Sequence, residues 1–178
     1  ALNAAQAIDE SWYCITIESR NSADILAVAA WAEARTKLFV AASADINILD
    51  PLETSDVASQ LKAGSFSRTA LIYAASAGTT WPDTSWAGPI LPNDPGSITW
   101  SFKRVAGIAG SIFTGSQITA LENKRVTRIE QVQGLSRAIG GYTSDPGAYT
   151  DIIRGLDWLE QSMAEDIFLL LVNAQKVP

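Results

Sequence analysis

The sequence predicts an α/β fold: a βαβαβ unit with a parallel or mixed sheet, flanking helices and a long C-terminal amphipathic helix. In the first half, short segments rich in β-branched and aromatic residues alternate with helical segments. Such strands run parallel, because a connection that contains a helix joins parallel neighbours. From residue 151 onward, an apolar period close to 3.6 residues predicts the long helix.

The first predicted strand is WYCITIE at 12–18, which is rich in aromatic and β-branched residues. A helix cap follows at Asn21, and Asp24 stands three residues later, close to the spacing of a capping box. Apolar residues then recur at helical spacing: Ile25, Val28, Ala29 and Ala32. We therefore expect a helix over about 22–36.

Two more strands and a second helix complete the predicted βαβαβ half. KLFVAAS at 37–43 and TALIYAA at 69–75 are short apolar segments typical of buried strands. Between them, residues 55–63 have helical character and are followed by Gly64, a residue that commonly ends helices.

The middle of the chain is less regular. Trp, Pro, Gly and Thr dominate from residue 79 to about 100, which predicts a loop or a broken helix. A short helix is predicted over 117–124. Residues 126–142 contain three glycines and predict a strand pair whose register stays open.

The last helix has the clearest pattern. Six apolar residues recur at steps of three and four: Ile152, Leu156, Leu159, Met163, Ile167 and Leu170. We expect them to be buried against the sheet, at about 1.5 to 3 kcal/mol per side chain. The opposite face carries Asp157, Glu160 and Glu165. These three acidic residues are candidates for contact with a partner, or form a solvated face.

The composition narrows the classes of partner. The chain is 47% hydrophobic and 18% charged, as in globular proteins. Its net charge of -6 disfavours nonspecific binding to nucleic acid, which depends on lysines and arginines. No apolar segment approaches the roughly 18 residues of a membrane-spanning helix. We expect neither nucleic acid nor a membrane segment.

Several kinds of catalytic site are absent from the sequence. The chain has no histidine, which excludes Ser-His-Asp and Cys-His systems and histidine-containing zinc sites. Cys14 is the only cysteine, so no internal disulfide forms, as suits a reducing compartment. Ser59 and Lys62 match S-x-x-K, but the companion motifs of penicillin-binding enzymes are missing.

Metal and cofactor motifs are also incomplete. The segment from Asp45 to Asp50 begins like a calcium loop but lacks the required glycine and one ligand. No glycine-rich phosphate loop follows the first strand. We therefore expect no enzyme activity, no catalytic residue, no metal and no cofactor.

Three of the six tryptophans cluster in the proline-rich middle of the chain, at Trp81, Trp86 and Trp100. They fit a local minicore and an assembly contact equally well, because tryptophan is enriched at both kinds of place. The prolines of ILPNDPGSITWSFK, at 90–103, predict a stiff brace that is also a candidate neighbour contact.

Several segments together resemble one known family: WYCITIESRNSADILAVAAWAEARTKLFVAAS, SRTALIY, WPDTSWAGPILPNDPGSITWSFK, YTDIIRGLDWLEQSM and LLVNAQKVP. They are similar to the tail sheath proteins of contractile bacteriophages, in the branch that carries W-x-G-x-x-L-P-x-D-P-G-S-x-T-W-x-F-K. The resemblance runs from Trp12 to Pro178, and residues 125–142 depart most from the pattern.

This resemblance implies a sheath-type domain, called subtilisin-like for its topology, without protease activity or cofactor. Sheath subunits of phage tails and related contractile injection systems stack around a tail tube, exchange terminal strands, and contract to drive the tube into the host. The implied partners are other copies in a helical sheath and the tail tube protein. The implied locations are the virion tail and, during assembly, the bacterial host cytoplasm.

The resemblance further implies that residues 1–178 form a single sheath domain of a longer chain, without its terminal arms. A second interpretation is an α/β enzyme or small-molecule-binding domain. Ligands of open α/β sheets bind at the carboxyl ends of the strands, which here lie near Asp45 and Gly78.

Overall fold

A single six-stranded mixed sheet organises residues 1–174, the part of the chain that the computed structural model describes. The strands are β1 (Cys14–Ile15), β2 (Leu38–Ser43), β3 (Thr69–Tyr73), β4 (Lys103–Arg104), β5 (Val126–Val132) and β6 (Leu135–Ile139). Their order is β1-β2-β3-β5-β6-β4, so β1 and β4 form the two edges. The first four strands in this order are parallel, and β6 is antiparallel to both of its neighbours.

The helices of residues 1–174 are α1 (Leu2–Ile8), α2 (Ser22–Glu33), α3 (Val57–Ala63), α4 (Pro82–Ala87), α5 (Gly115–Asn123) and α6 (Thr150–Asn173), with a 3-10 helix at Ile46–Leu49. Helix α2 connects β1 to β2, and α3 connects β2 to β3. The predicted α/β class and its βαβαβ unit are therefore confirmed. Residues 175–178, which end the LLVNAQKVP segment, lie outside the described residues.

Side-chain caps set where the connecting helices begin. The Asn21 side chain accepts a hydrogen bond from the Ala23 amide at 2.9 Å and starts α2. Asp24 does not complete a capping box, because it accepts a 2.5 Å hydrogen bond from the Ser19 hydroxyl instead. Asp56 caps α3, and a capping box between Thr114 and Gln117 starts α5.

Strands β2 and β3 are buried on both faces, as central strands of a parallel sheet usually are. One apolar cluster contains their even-numbered residues together with Trp86 of α4 and Trp100. The other contains their odd-numbered apolar and aromatic residues together with apolar residues of α2, α3 and α5. The sheet is thus the middle of three layers.

The strand pair predicted within 126–142 is confirmed as the antiparallel hairpin of β5 and β6. Its register runs from Arg128 opposite Ile139 to Val132 opposite Leu135. The turn residues Gln133 and Gly134 have φ of 49° and 78°, the positive values that a two-residue hairpin turn requires.

Helix α6 is confirmed, but the burial predicted for its apolar face is wrong. The six residues of that face are between 47% and 70% exposed: Ile152, Leu156, Leu159, Met163, Ile167 and Leu170. The buried residues of α6 are Thr150, Arg154 and Asp157, all near its start. Helical periodicity shows which face suits burial but not what covers it, and nothing within residues 1–174 covers this one.

The proline-rich segment 90–103 contributes to the core. Ile90 and Trp100 are each 1% exposed. The indole N–H of Trp86 donates to the Trp100 carbonyl at 3.0 Å, and the two rings meet edge to face with centroids 5.1 Å apart. This pair fixes the segment against one face of the sheet.

We predict that Trp100→Ala lowers the free energy of unfolding by about 3–5 kcal/mol, because it leaves a cavity beside Trp86. Urea denaturation followed by circular dichroism measures the loss. Trp81→Ala is the matched control, since that ring is half-exposed. Equal losses in the two variants would contradict the role of Trp100 as a core residue.

Candidate assembly surface

Helix α6 is attached to the domain through Asp157. The two carboxylate oxygens of Asp157 accept hydrogen bonds from the Arg68 guanidinium at 2.6 and 2.7 Å, next to the start of β3. The Tyr13 hydroxyl donates to the same carboxylate at 2.7 Å. Burial and this bond raise the pKa of Tyr13 above 10, so it remains a neutral donor at physiological pH. The bond to Asp157 likewise raises the pKa of Arg68.

Arg154, one turn earlier on α6, attaches the helix to the proline-rich segment. Its guanidinium donates to three main-chain carbonyls at 2.6 to 3.4 Å: those of Ile90, Leu91 and Asn93. Arg154 and Asp157 are each only 7% exposed. A rotation of α6 would break these contacts and leave a buried charge without a partner, which is costly. The contacts therefore hold α6 in one orientation.

Beyond this attachment, α6 carries a large uncovered apolar surface. Trp158, Phe168, Leu169, Leu171 and Val172 are exposed in addition to the six residues of the apolar face. Ile152, Leu156 and Leu159 also line a shallow groove of about 400 Å³ against residues 96–99. Exposed apolar surface of this extent is typical of a site that contacts another protein.

The exposed charges of α6 are acidic. Glu160, Glu165 and Asp166 are exposed, whereas Arg154 is buried. Between residues 150 and 174 there is no exposed lysine or arginine. A partner for this surface would therefore combine apolar side chains with lysine or arginine.

The structure separates the six predicted contact residues into two groups. Trp81, Glu160 and Glu165 are accessible, and the Arg20 guanidinium lies 5.3 Å from the centroid of the Trp81 ring. The remaining three are buried within the chain: Trp86, Trp100 and Asp157. The two tryptophans form a minicore, and Asp157 belongs to the α6 attachment rather than to its solvated face.

The sequence interpretation missed the attachment role of Arg154. A signal was present, because Arg154 and Asp157 are three residues apart and so share one side of a helix. It also missed Trp158, which is accessible and, like Glu160, lines a cleft between α6 and residues 10–14.

The fold is similar to that of a protein whose crystal structure has been solved. The crystal structure of a sheath tail protein from Desulfitobacterium hafniense superimposes with a TM-score of 0.66 and 13% sequence identity. The match covers 92% of this chain and 41% of that protein, so this chain spans less than half of its length. The chain has a sheath-like fold. No protein-family model matches the sequence, and no curated protein is significantly similar to it.

The strand ends near Asp45 and Gly78, the alternative site, hold polar groups that bond to one another. Asp45 accepts from the Asn47 amide and caps the 3-10 helix. Nearby, Arg20 and Asp83 form an ion pair at 2.7 Å, and Arg20 also donates to the Ala77 carbonyl. Asp45, Arg20 and Asp83 are thus each bonded to other groups of the domain.

The described part of the chain lacks both a metal-binding cluster and a membrane-spanning helix. Residues 1–174 contain no cluster of three or more cysteine or carboxylate side chains placed to hold a metal ion. In that range no helix combines the length and the apolarity needed to cross a bilayer.

We predict that Tyr13 makes stability depend on alkaline pH. The pKa of Tyr13 is higher in the folded state than its usual value of 10 in the unfolded state. Its contribution to the free energy of unfolding is therefore complete below pH 10 and is lost as pH rises further. Tyr13→Phe should lower the free energy of unfolding by about 1.5–3 kcal/mol at neutral pH, because it removes a hydrogen bond to a charged acceptor. The substitution should also make the free energy of unfolding fall less steeply above pH 10.

Urea denaturation between pH 7 and pH 11 measures both effects. Tyr149→Phe is the matched control, because the Tyr149 hydroxyl makes no side-chain hydrogen bond within residues 1–174. An unchanged alkaline decline in Tyr13→Phe would contradict the assignment.

Proposed function

We propose that this chain is a non-enzymatic structural subunit of a contractile phage tail sheath or a related injection system. In this role it packs against other copies of itself around a tail tube, in the virion tail, after assembly in the bacterial cytoplasm. The observation that carries the proposal is the uncovered apolar surface of α6 on a chain with a sheath-like fold. The name of the similar structure, a sheath tail protein, supports the same role.

The α6 surface supplies a driving force for assembly. Each of its six aligned apolar residues is about half exposed, so covering it would contribute about 1 kcal/mol, half of the value for full burial. The exposed residues Trp158 and Phe168 add further area. Association must offset lost rotational and translational freedom, which makes a contiguous surface more effective than scattered residues.

The attachment of α6 suits a subunit that moves as a rigid body. The bond to Arg68 links α6 to β3, and the bonds of Arg154 link it to the segment that covers one face of the sheet. A force on α6 is therefore transmitted to the sheet rather than absorbed by a flexible joint. Contraction of a sheath requires subunits that change their packing while keeping their internal structure.

We predict that replacing three residues of the α6 surface, Leu159, Met163 and Ile167, by serine prevents assembly and leaves the domain folded. These side chains are already half exposed, so they contribute little to the stability of the single chain. Parent and variant are both expressed as the whole protein that the gene encodes. Electron microscopy should show tubular polymers of the parent and only dispersed particles of the variant.

The matched control replaces three exposed apolar residues outside α6 by serine: Ile8, Leu52 and Ile112. They are 87% to 93% exposed, so the change in composition is the same and the location differs. The control should assemble like the parent. Assembly of the α6 variant, or equal loss in the control, would refute the proposal that α6 carries the contact.

A further inference from the structure

A cleft of about 790 Å³ separates α6 from the segment that leads into β1. The charges in its floor are already bonded: Lys37 donates to the carbonyls of Glu10 and Trp12, and Arg154 and Asp157 form the α6 attachment. The exposed charged side chains of its lining are Glu10 and Glu160. The half-exposed ring of Trp158 also lines the cleft. The rim of the cleft therefore offers carboxylates and an aromatic face to a cation.

The opposite edge of the sheet is basic. Strand β4 carries Lys103 and Arg104, and Arg104 stands opposite Arg137 of β6. The Arg137 guanidinium lies 4.7 Å from the centroid of the exposed Phe102 ring. Ion pairs within residues 1–174 involve other basic residues: Arg20, Arg68, Lys124 and Arg128. None of the three basic residues of this edge therefore forms an ion pair in the described chain; Glu130 stands opposite Arg137 in the strand register, but its carboxylate bonds to Arg128.

We propose that the acidic cleft of one copy receives the basic β4 edge of the next copy. This inference rests on the proposed function, because it names the second surface through which the subunits associate. The acidic cleft adjoins β1 and the basic residues lie on β4 and β6, at the two ends of the strand order. Opposite charges at opposite edges complement each other between copies that share one orientation.

Lysine and arginine on an edge strand have a second use, which is to prevent unwanted strand pairing. That use needs no acidic counterpart elsewhere on the chain. Here the opposite edge of the sheet provides one, and each charged surface includes an exposed aromatic residue, Phe102 directly before β4 and Trp158 in the cleft. Aromatic rings and arginines pair favourably across interfaces, so the combination fits a contact better than simple protection.

A contact between two different surfaces leaves every added copy with one free cleft and one free edge. Such a head-to-tail contact continues until it closes into a ring, or it extends as a helical filament. Both outcomes fit a subunit that encircles a tube.

Two variants of the protein, expressed as its gene encodes it, test the inference. Glu10→Lys with Glu160→Lys makes the cleft basic, and Lys103→Glu with Arg104→Glu makes the edge acidic. Each variant alone then presents like charges on both surfaces, and we expect its association to weaken roughly tenfold or more. In an equal mixture, every cleft again meets an edge of opposite charge, so association should return to that of the parent.

Sedimentation velocity measures association relative to the mass of a single chain, and circular dichroism verifies that each variant is folded. Lys62→Glu is the control, because Lys62 lies on α3 and lines neither surface. Weak association of each variant with recovery in the mixture would support the inference. If the variants associate like the parent, or if mixing restores nothing, the inference is overturned while self-assembly through α6 stands. If the parent stays a single chain and mixing has no effect, both proposals fail.

Discussion

The bidentate contact between Asp157 and Arg68 determines which side of α6 faces the domain and which side is exposed. It lies where α6 passes the start of β3, and the Tyr13 hydroxyl completes it. Together with Arg154, it turns the polar side of α6 toward the domain and leaves the apolar side outside. The usual arrangement of an amphipathic helix is reversed. A chain held in this way has an uncovered apolar surface, and covering that surface would drive the assembly that we propose.

The rest of the fold supplies a rigid base for this helix. Both faces of β2 and β3 are buried. The pair of Trp86 and Trp100 fixes the proline-rich segment, and Arg154 donates hydrogen bonds to carbonyls of that segment. The side chains near the carboxyl ends of the strands, which serve ligands in many α/β proteins, are engaged here in caps and an ion pair. The features that remain open are surfaces: the apolar side of α6, the acidic cleft and the basic β4 edge.

Much of the fold could be predicted from the sequence because its signals are local. The apolar segments of β2 and β3, the Asn21 cap and the 3.6-residue period of α6 each depend on nearby residues. The site was less predictable. Periodicity is the same whether a helix is covered by its own chain or by another, so the exposure of Leu159 and Met163 could not be read from it. The sequence places Asp157 on the solvent-exposed side of α6, because its partner, Arg68, is 89 residues away and leaves no local signal. Strand β4 has only two residues, too few for any alternation to show.

The central claim is that the apolar side of α6 is the contact between copies. Electron cryomicroscopy of the assembled protein tests it most directly, at a resolution that shows side chains. Our account predicts that residues 156–170 of each copy lie in contact with a neighbouring copy, with the Asp157–Arg68 pair intact. An ordered assembly in which this side of α6 still faces solvent would contradict it.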